Sequence, residues 1–175
     1  ELADGVYTVL STSGDTQLGG SDMDKIIVDH IVKKFKESEG LDLTKDKMAV
    51  QRVHEAAEKA KIELSKVGET DINLPYVTAD ASGPKHLVMK FTRSELEKLI
   101  QPIVDRCKKP LENAIKDAKI SKDKIDKVIL VGGPTRMPIV QKFLEVEFGN
   151  KLERGVDPME CVASGAAIQG GILSG

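Results

Sequence analysis

Residues 127–143, KVILVGGPTRMPIVQKF, decide how this chain is read. The apolar run Val128 to Val131 stops on Gly132-Gly133-Pro134; Arg136 follows, and Pro138 opens a segment with helical spacing to about Gly149. A strand that ends on two glycines and feeds a helix leaves backbone bare at a strand end, where ligands sit in open α/β sheets. Without side chains at Gly132 and Gly133, a flat ligand can approach the backbone directly. Arg136 can lay its guanidinium plane against that ligand's face. The stretch is neither of the common phosphate loops: no Lys-Ser/Thr pair follows as in GxxxxGK[ST], and GxGxxG is not formed. A tight strand-to-helix turn with a solvated arginine accounts for the same residues, because glycine often marks turns for backbone reasons alone.

Two other stretches bear on the same question. In EKAKIELS, Glu58, Lys61 and Ser65 fall at i, i+3 and i+7, so an acid, a base and a hydroxyl share one helix stripe. Such a stripe can exchange hydrogen bonds with sugar hydroxyls; it can equally be a surface ion pair worth a few tenths of a kcal/mol, on the order of 0.3. In GDTQLGGSDMD, Gly19 and Gly20 bare the backbone just before a helix start, a place that attracts anions. Its plainer reading is a loop in which Asp22 and Asp24 serve as cap and first-turn charge.

Outward from these stretches the chain alternates strand and helix signals. GVYTVLST, residues 5–12, is rich in β-branched residues and predicts a strand. Ser21 or Asp22 caps a helix to about Glu39, with Ile27, Ile31 and Phe35 four apart and Gly40 as its stop. Asp46 caps a second helix to about Lys66, whose inner face is Met48, Val53, Ala56, Ala57, Ala60 and Leu64. TDINLPYVTAD and KHLVMKF alternate apolar and polar residues around Ser82-Gly83-Pro84 and predict a hairpin, with Pro75 at an edge or bulge. TRSE, residues 92–95, is a capping box that opens a long helix through Leu96, Leu99, Ile103, Cys107, Leu111 and Ile115. Pro102 is expected to kink that helix, and Pro110 to bend or restart it. Lys127–Val131 is a strand. Asp157-Pro158 caps a last helix, thinned by Ala163, Gly165, Ala166, Ala167 and Gly170 so that it can press close to a sheet or another helix. The order predicts a mixed α/β fold with the middle portion inserted between pieces of one core.

Composition narrows the function classes. The 175 residues are 40% hydrophobic and 31% charged, a balance that suits a globular domain or two small subdomains. Lys+Arg number 26 and Asp+Glu 28, so no bulk charge favours nucleic acid or an anionic membrane surface. Cys107 and Cys161 lie far apart without CxxC spacing, which suggests a reducing compartment rather than a disulfide framework or zinc site. His30, His54 and His86 show no ligand spacing. No apolar run approaches the roughly 20 residues of a membrane span. The chain opens on no signal peptide and does not begin with Met, which reads as a piece of a longer protein.

Taken in order, GDTQLGGSDMD, EAAEKAKIELS, INLPYVTAD, ILVGGPTRMP and ASGAAIQGGIL resemble the DnaK family of seventy-kilodalton heat-shock chaperones, across essentially all 175 residues. The resemblance implies the second lobe of an actin-like, ribonuclease-H-like ATPase domain. Residues 1–17 and 99–175 would form its inner subdomain, incomplete here, and residues 18–98 an inserted α+β outer subdomain. It implies that Gly132, Gly133, Arg136 and Met137 belong to the ATP or ADP site, Gly133 approaching the nucleoside and α-phosphate and Arg136 flanking the adenine. Glu58 and Lys61 would reach the ribose, Ser65 the adenine, and Gly20 would lie near the ribose. The three stretches become one site if the outer subdomain folds over the inner one.

Departures from the family pattern imply fewer adenosine contacts of the same kind. Pro134 replaces a small polar residue, Met159 replaces an acid that helps to hold the nucleoside, and Ile62 replaces an arginine beside the base. The first lobe, the phosphate hairpins, the catalytic lysine and the Mg²⁺-organising acids of the family belong to segments not in this sequence, as does the peptide-binding domain. The resemblance thus implies no catalytic residues in the chain itself, ATP hydrolysis by a cytoplasmic parent chaperone, and J-domain and GrpE-like nucleotide-exchange partners. A rival reading makes the chain chiefly a docking module for exchange factors, with DINLPYVTAD and the adjoining helices as the surface. A sugar kinase of the same superfamily would not share the wording of every motif. An open sheet edge at residues 5–12 would favour self-association.

Overall fold

The computed structural model describes residues 1–3 and 6–175. The chain divides into two compact units, Gly19–Ile103 and the pair of segments Glu1–Leu18 with Val104–Gly175. Helices and strands are mixed throughout, and among the described residues the strands form three two-stranded pairs.

The unit Gly19–Ile103 holds most of the buried apolar side chains. Helix α1 (Gly20–Glu39) buries Met23, Ile27, Val28, Ile31, Val32 and Phe35. Its cap is Gly19 rather than Ser21 or Asp22: Asp22 sits three residues inside and reaches back, its Oδ2 accepting the Gly19 N–H at 2.9 Å. Gly40 closes the helix at φ 71°, a left-handed conformation that glycine adopts without a Cβ penalty. The carboxylate of Asp46 accepts the N–H groups of Met48 and Ala49 at 2.9 and 3.1 Å and so starts helix α2 (Lys47–Leu64) as anticipated. Its buried stripe is Ala49, Val53, Ala57, Ala60 and Leu64. Met48, expected inside, is exposed, because the stripe's 4-4-3-4 spacing enters the helix at Ala49 and turns position 48 outward.

Strands β3 (Glu69–Asp80) and β4 (Gly83–Thr92) form the antiparallel hairpin, with the register broken between Leu74 and Thr78. Pro75 lies in that bulge. Tyr76 next to it holds φ 53°, and the guanidinium of Arg52 donates to the Pro75 and Tyr76 carbonyls at 2.7 and 2.8 Å. Inward residues Ile72, Val77, Leu87 and Phe91 are buried. The capping box forms as read: Glu95 N–H donates to Thr92 Oγ1 at 3.2 Å, and Thr92 N–H to Glu95 Oε2 at 3.0 Å. Helix α3 (Arg93–Arg106) then runs on through Pro102. The break comes at Cys107, and helix α4 (Lys108–Asp117) follows. Pro110 is the cause, since it has no N–H to return to the carbonyl of Arg106.

In the other unit, strand β1 (Leu2–Ala3) pairs antiparallel with β2 (Val6–Tyr7). The strand expected over residues 5–12 is therefore only two residues long in the described part, Gly5 itself lying outside the described residues. The ladder ends at Leu2↔Tyr7, although Thr8 still meets Glu1, its N–H donating to the Glu1 carbonyl and its carbonyl accepting from the Glu1 amino group, both at 2.9 Å. Strand β5 (Val128–Ile129), shorter than the expected Lys127–Val131, pairs in parallel with β6 (Leu152–Glu153), a strand that the sequence did not announce. A 3₁₀ turn spans Gly133–Arg136, and helix α5 (Pro138–Phe148) buries Ile139 and Phe148 before ending on Gly149 at φ 64°. Helix α6 (Cys161–Ser174) starts after Asp157-Pro158 instead of on it. Expected to press against a neighbour, it has no buried residue and leaves Val162, Ile168, Ile172 and Leu173 exposed.

Candidate functional site

The glycine turn is built around one backbone conformation. Gly132 holds φ 94° and ψ 151°, a region open essentially to glycine alone. Its N–H donates to the Pro158 carbonyl at 2.8 Å, and its own carbonyl accepts the Thr135 hydroxyl at 2.7 Å. The turn is thus locked to the segment before α6. Arg136 projects from it, and one terminal nitrogen of its guanidinium donates to both carboxylate oxygens of Asp157 at 2.6 and 2.7 Å. The N–H of Met159 and the Arg136 guanidinium hold the Asp157 carboxyl below the usual carboxylate range. Beside Arg136 lies a cleft of about 220 Å³, lined also by Leu130, Gln141, Leu152, Arg154 and Pro158.

Gly133 is bare for a specific reason: a Cβ there would sit 3.2 Å from the Met159 sulfur. Met159, noted as a departure, therefore stands beside the glycine that was expected to face the nucleoside. Met137 is buried, so it offers a ligand backbone only; its side chain belongs to the core.

The second set of residues lies in the unit Gly19–Ile103. Lys61 turns inward from α2 and is 8% exposed. Its ammonium donates to Asp24 Oδ2 at 2.7 Å and to the Gly20 carbonyl at 3.2 Å, across 41 residues of chain in the latter case. The lysine of the stripe is thus paired with α1 rather than forming a surface pair along its own helix. Asp24, read as a first-turn charge, is 5% exposed, and its Oδ1 is buried with no hydrogen-bond donor. Ser65 closes α2, its hydroxyl donating to the Lys61 carbonyl at 3.2 Å, which leaves the oxygen's lone pairs to accept. Glu58 is exposed one turn before Lys61, on the rim of a shallow depression that also includes Ile62.

The structure therefore gathers Gly132, Gly133 and Arg136 in one turn and brings the Lys61 ammonium to the Gly20 carbonyl at the start of α1, with Ser65 bonded to the Lys61 carbonyl at the end of α2. These two sets belong to different units. Asp24 and Asp157 were missed as partners. Asp157 carried a signal, Asp-Pro before a helix, that was spent on capping alone; Asp24 pairs 37 residues away, beyond any local pattern. Among the described residues no group of three His, Cys, Asp or Glu is placed to hold a metal ion. No helix of the described residues is long and apolar enough to cross a membrane.

The family model described as Hsp70 protein matches residues 1–175. The chain belongs to the Hsp70 family. This Hsp70 chain is 65% identical over 173 residues to "Chaperone protein DnaK" of Endomicrobium trichonymphae, covering 99% of the chain and 28% of that protein. It is 58% identical over 175 residues to the DnaK protein of Methanothermobacter thermautotrophicus, covering 100% of the chain and 29% of that protein. With the DnaK protein of the alga Cyanidioschyzon merolae it shares 56% over 175 residues, again 29% of that protein. The chain spans less than a third of the length of these relatives. The actin-like ATPase fold of the family is consistent with the mixture of helix and strand observed.

Proposed function

We propose that this Hsp70 chain is the nucleoside-binding lobe of an ATP-dependent chaperone, which holds the adenosine part of ATP or ADP and performs no hydrolysis alone. The observation that carries the reading is the meeting of Lys61 with the Gly20 carbonyl at 3.2 Å. Both were assigned to the ribose, and they are far apart in sequence. A buried ammonium and, one helical turn before it on the same helix, the exposed carboxylate of Glu58 offer a donor and an acceptor to vicinal hydroxyls. Arg136, partly exposed and steadied by Asp157, supplies a planar cation to the adenine. The bare Gly132-Gly133 backbone lets the nucleoside approach.

The inner subdomain is residues 1–17 and 99–175 and the outer one 18–98 in this reading, close to the two compact units. ATP or ADP fits as the ligand through its adenosine. When bound in the whole protein, Mg²⁺ would neutralise phosphate charge, but its ligands would come from segments outside this sequence. ATP hydrolysis coupled to peptide binding, a J-domain co-chaperone, contacts with the first lobe and peptide-binding domain, and a cytoplasmic location complete the proposal for the parent protein.

A second reading, docking of a GrpE-like nucleotide-exchange factor, has its own support. The β3–β4 hairpin displays Tyr76 at 68% exposure and Val88 at 69%, and Arg52 stiffens the bulge that carries Tyr76. Exposed aromatic anchors on a rigid element suit partner binding.

Equilibrium titration with adenosine and guanosine tests the principal reading. Saturable binding of adenosine, with guanosine much weaker, is expected. Equal binding of both nucleosides, or of neither, contradicts it.

A further inference from the structure

We infer that Asp24 is a positioning residue of the nucleoside site, holding the Lys61 ammonium in place for the ribose; this rests on the reading above. Three observations carry it. Asp24 Oδ2 lies 2.7 Å from Lys61 Nζ, and the same ammonium reaches the Gly20 carbonyl at 3.2 Å. Both side chains are buried, that of Lys61 at 10% exposure and that of Asp24 at 7%. Yet the pair is incompletely satisfied: Asp24 Oδ1 is buried without a donor.

An ion pair of this kind is a poor device for stability. Burying two charges costs several kcal/mol of hydration, and the geometry must satisfy every lone pair to recover it. Asp24 leaves one oxygen unsatisfied. What the pair does achieve is order. A lysine has four side-chain torsions and about 2 kcal/mol of rotamer entropy to lose when a ligand fixes it. Asp24 and the Gly20 carbonyl remove that freedom in advance and use two of the three ammonium protons. The third is free to be offered to a hydroxyl, and preorganisation of that kind raises affinity without adding a contact. Asp24 does not touch the ligand; it acts through Lys61.

The test compares adenosine with adenine, which lacks the ribose, on the wild-type chain and on Asp24→Asn, with melting curves to show that the variant is folded. Adenosine should bind roughly tenfold more weakly to Asp24→Asn, the low end of what a lost hydrogen bond to a charged group removes. Adenine should bind as before. In the Lys61→Met background, adding Asp24→Asn should change adenosine binding no further. Unchanged adenosine affinity, or equal loss for adenosine and adenine in a folded variant, overturns the inference and leaves the nucleoside reading standing. Absence of adenosine binding by the wild-type chain overturns that reading instead, and the inference with it. Should Asp24→Asn fail to fold, the ¹⁵Nζ resonance of Lys61 in the wild-type chain decides. It should shift on addition of adenosine and stay still with adenine; no shift with adenosine overturns the inference.

Discussion

The Arg136 guanidinium donates to both carboxylate oxygens of Asp157, at 2.6 and 2.7 Å, so the planar cation at the glycine turn is fixed in position by the residue that also organises the start of the next helix. Removing Arg136 should therefore cost binding without costing the fold. Arg136→Ala is expected to weaken adenosine and ADP alike by about 1 kcal/mol, the scale of one cation–π contact, or roughly fivefold in Kd. Calorimetric titration of both ligands checks this; an effect on ADP alone would place Arg136 at the phosphates.

Adjacent glycines should respond differently. Gly132→Ala forces a Cβ onto a backbone at φ 94° and ψ 151°, and should destabilise the chain by about 2 kcal/mol. Gly133→Ala places its Cβ 3.2 Å from the end of the flexible Met159 side chain, which can move aside. Its stability change should stay within about 0.5 kcal/mol, while adenosine binding weakens because the bare backbone is covered. Urea denaturation and nucleoside titration on the two variants separate the roles.

His30 makes stability depend on pH. Its ring lies 5.8 Å from Phe91, and its buried Nε2 has no hydrogen-bond partner. Burial, then the nearby Lys34, lowers its pKa below 6.5, against the opposing pull of Glu95 and Glu37. The unfolded chain thus binds a proton near pH 6.5 that the folded chain resists, so stability is whole above that pH and declines below it. Urea midpoints should fall between about pH 7.5 and 5.5, and His30→Met should flatten the slope there. A steeper slope in the variant would contradict the assignment.

Local signals were legible in the sequence and distant ones were not. Asp46 and the Thr92–Glu95 box are caps whose partners lie within three residues, and both formed as read. The hairpin and its Pro75 bulge were carried by alternation and a turn of their own. The strand at residues 5–12 failed because a strand exists only with a neighbour, and β1 provides two residues. The kink expected at Pro102 does not break the long helix, which runs through that residue, whereas the restart expected at Pro110 occurs: the helix ends at Arg106 and resumes after Cys107, because Pro110 has no N–H for the Arg106 carbonyl. Of the candidate site, the residue types were legible, but the partners of Lys61 and Arg136 come from other segments and needed the fold to be seen.

Exposed apolar surface on the second unit predicts association. Helix α6 shows Val162, Ile168, Ile172 and Leu173 to solvent, and among the described residues β1 and β2 pair only with each other, which leaves an open edge. Sedimentation over roughly a hundredfold range of concentration should show a rising average mass, since pairing by surfaces of this kind follows mass action. A constant monomer mass would refute the edge argument.

The central claim is that this chain binds adenosine, and the most direct test is a ¹H–¹⁵N correlation spectrum recorded during titration with adenosine. Lys61, Ser65, Gly133 and Arg136 should each shift saturably, and ADP should reproduce that pattern at similar affinity. Shifts confined to the β3–β4 hairpin, an ADP affinity roughly a hundredfold tighter (about 2.7 kcal/mol), or a spectrum that adenosine leaves unchanged would contradict the account.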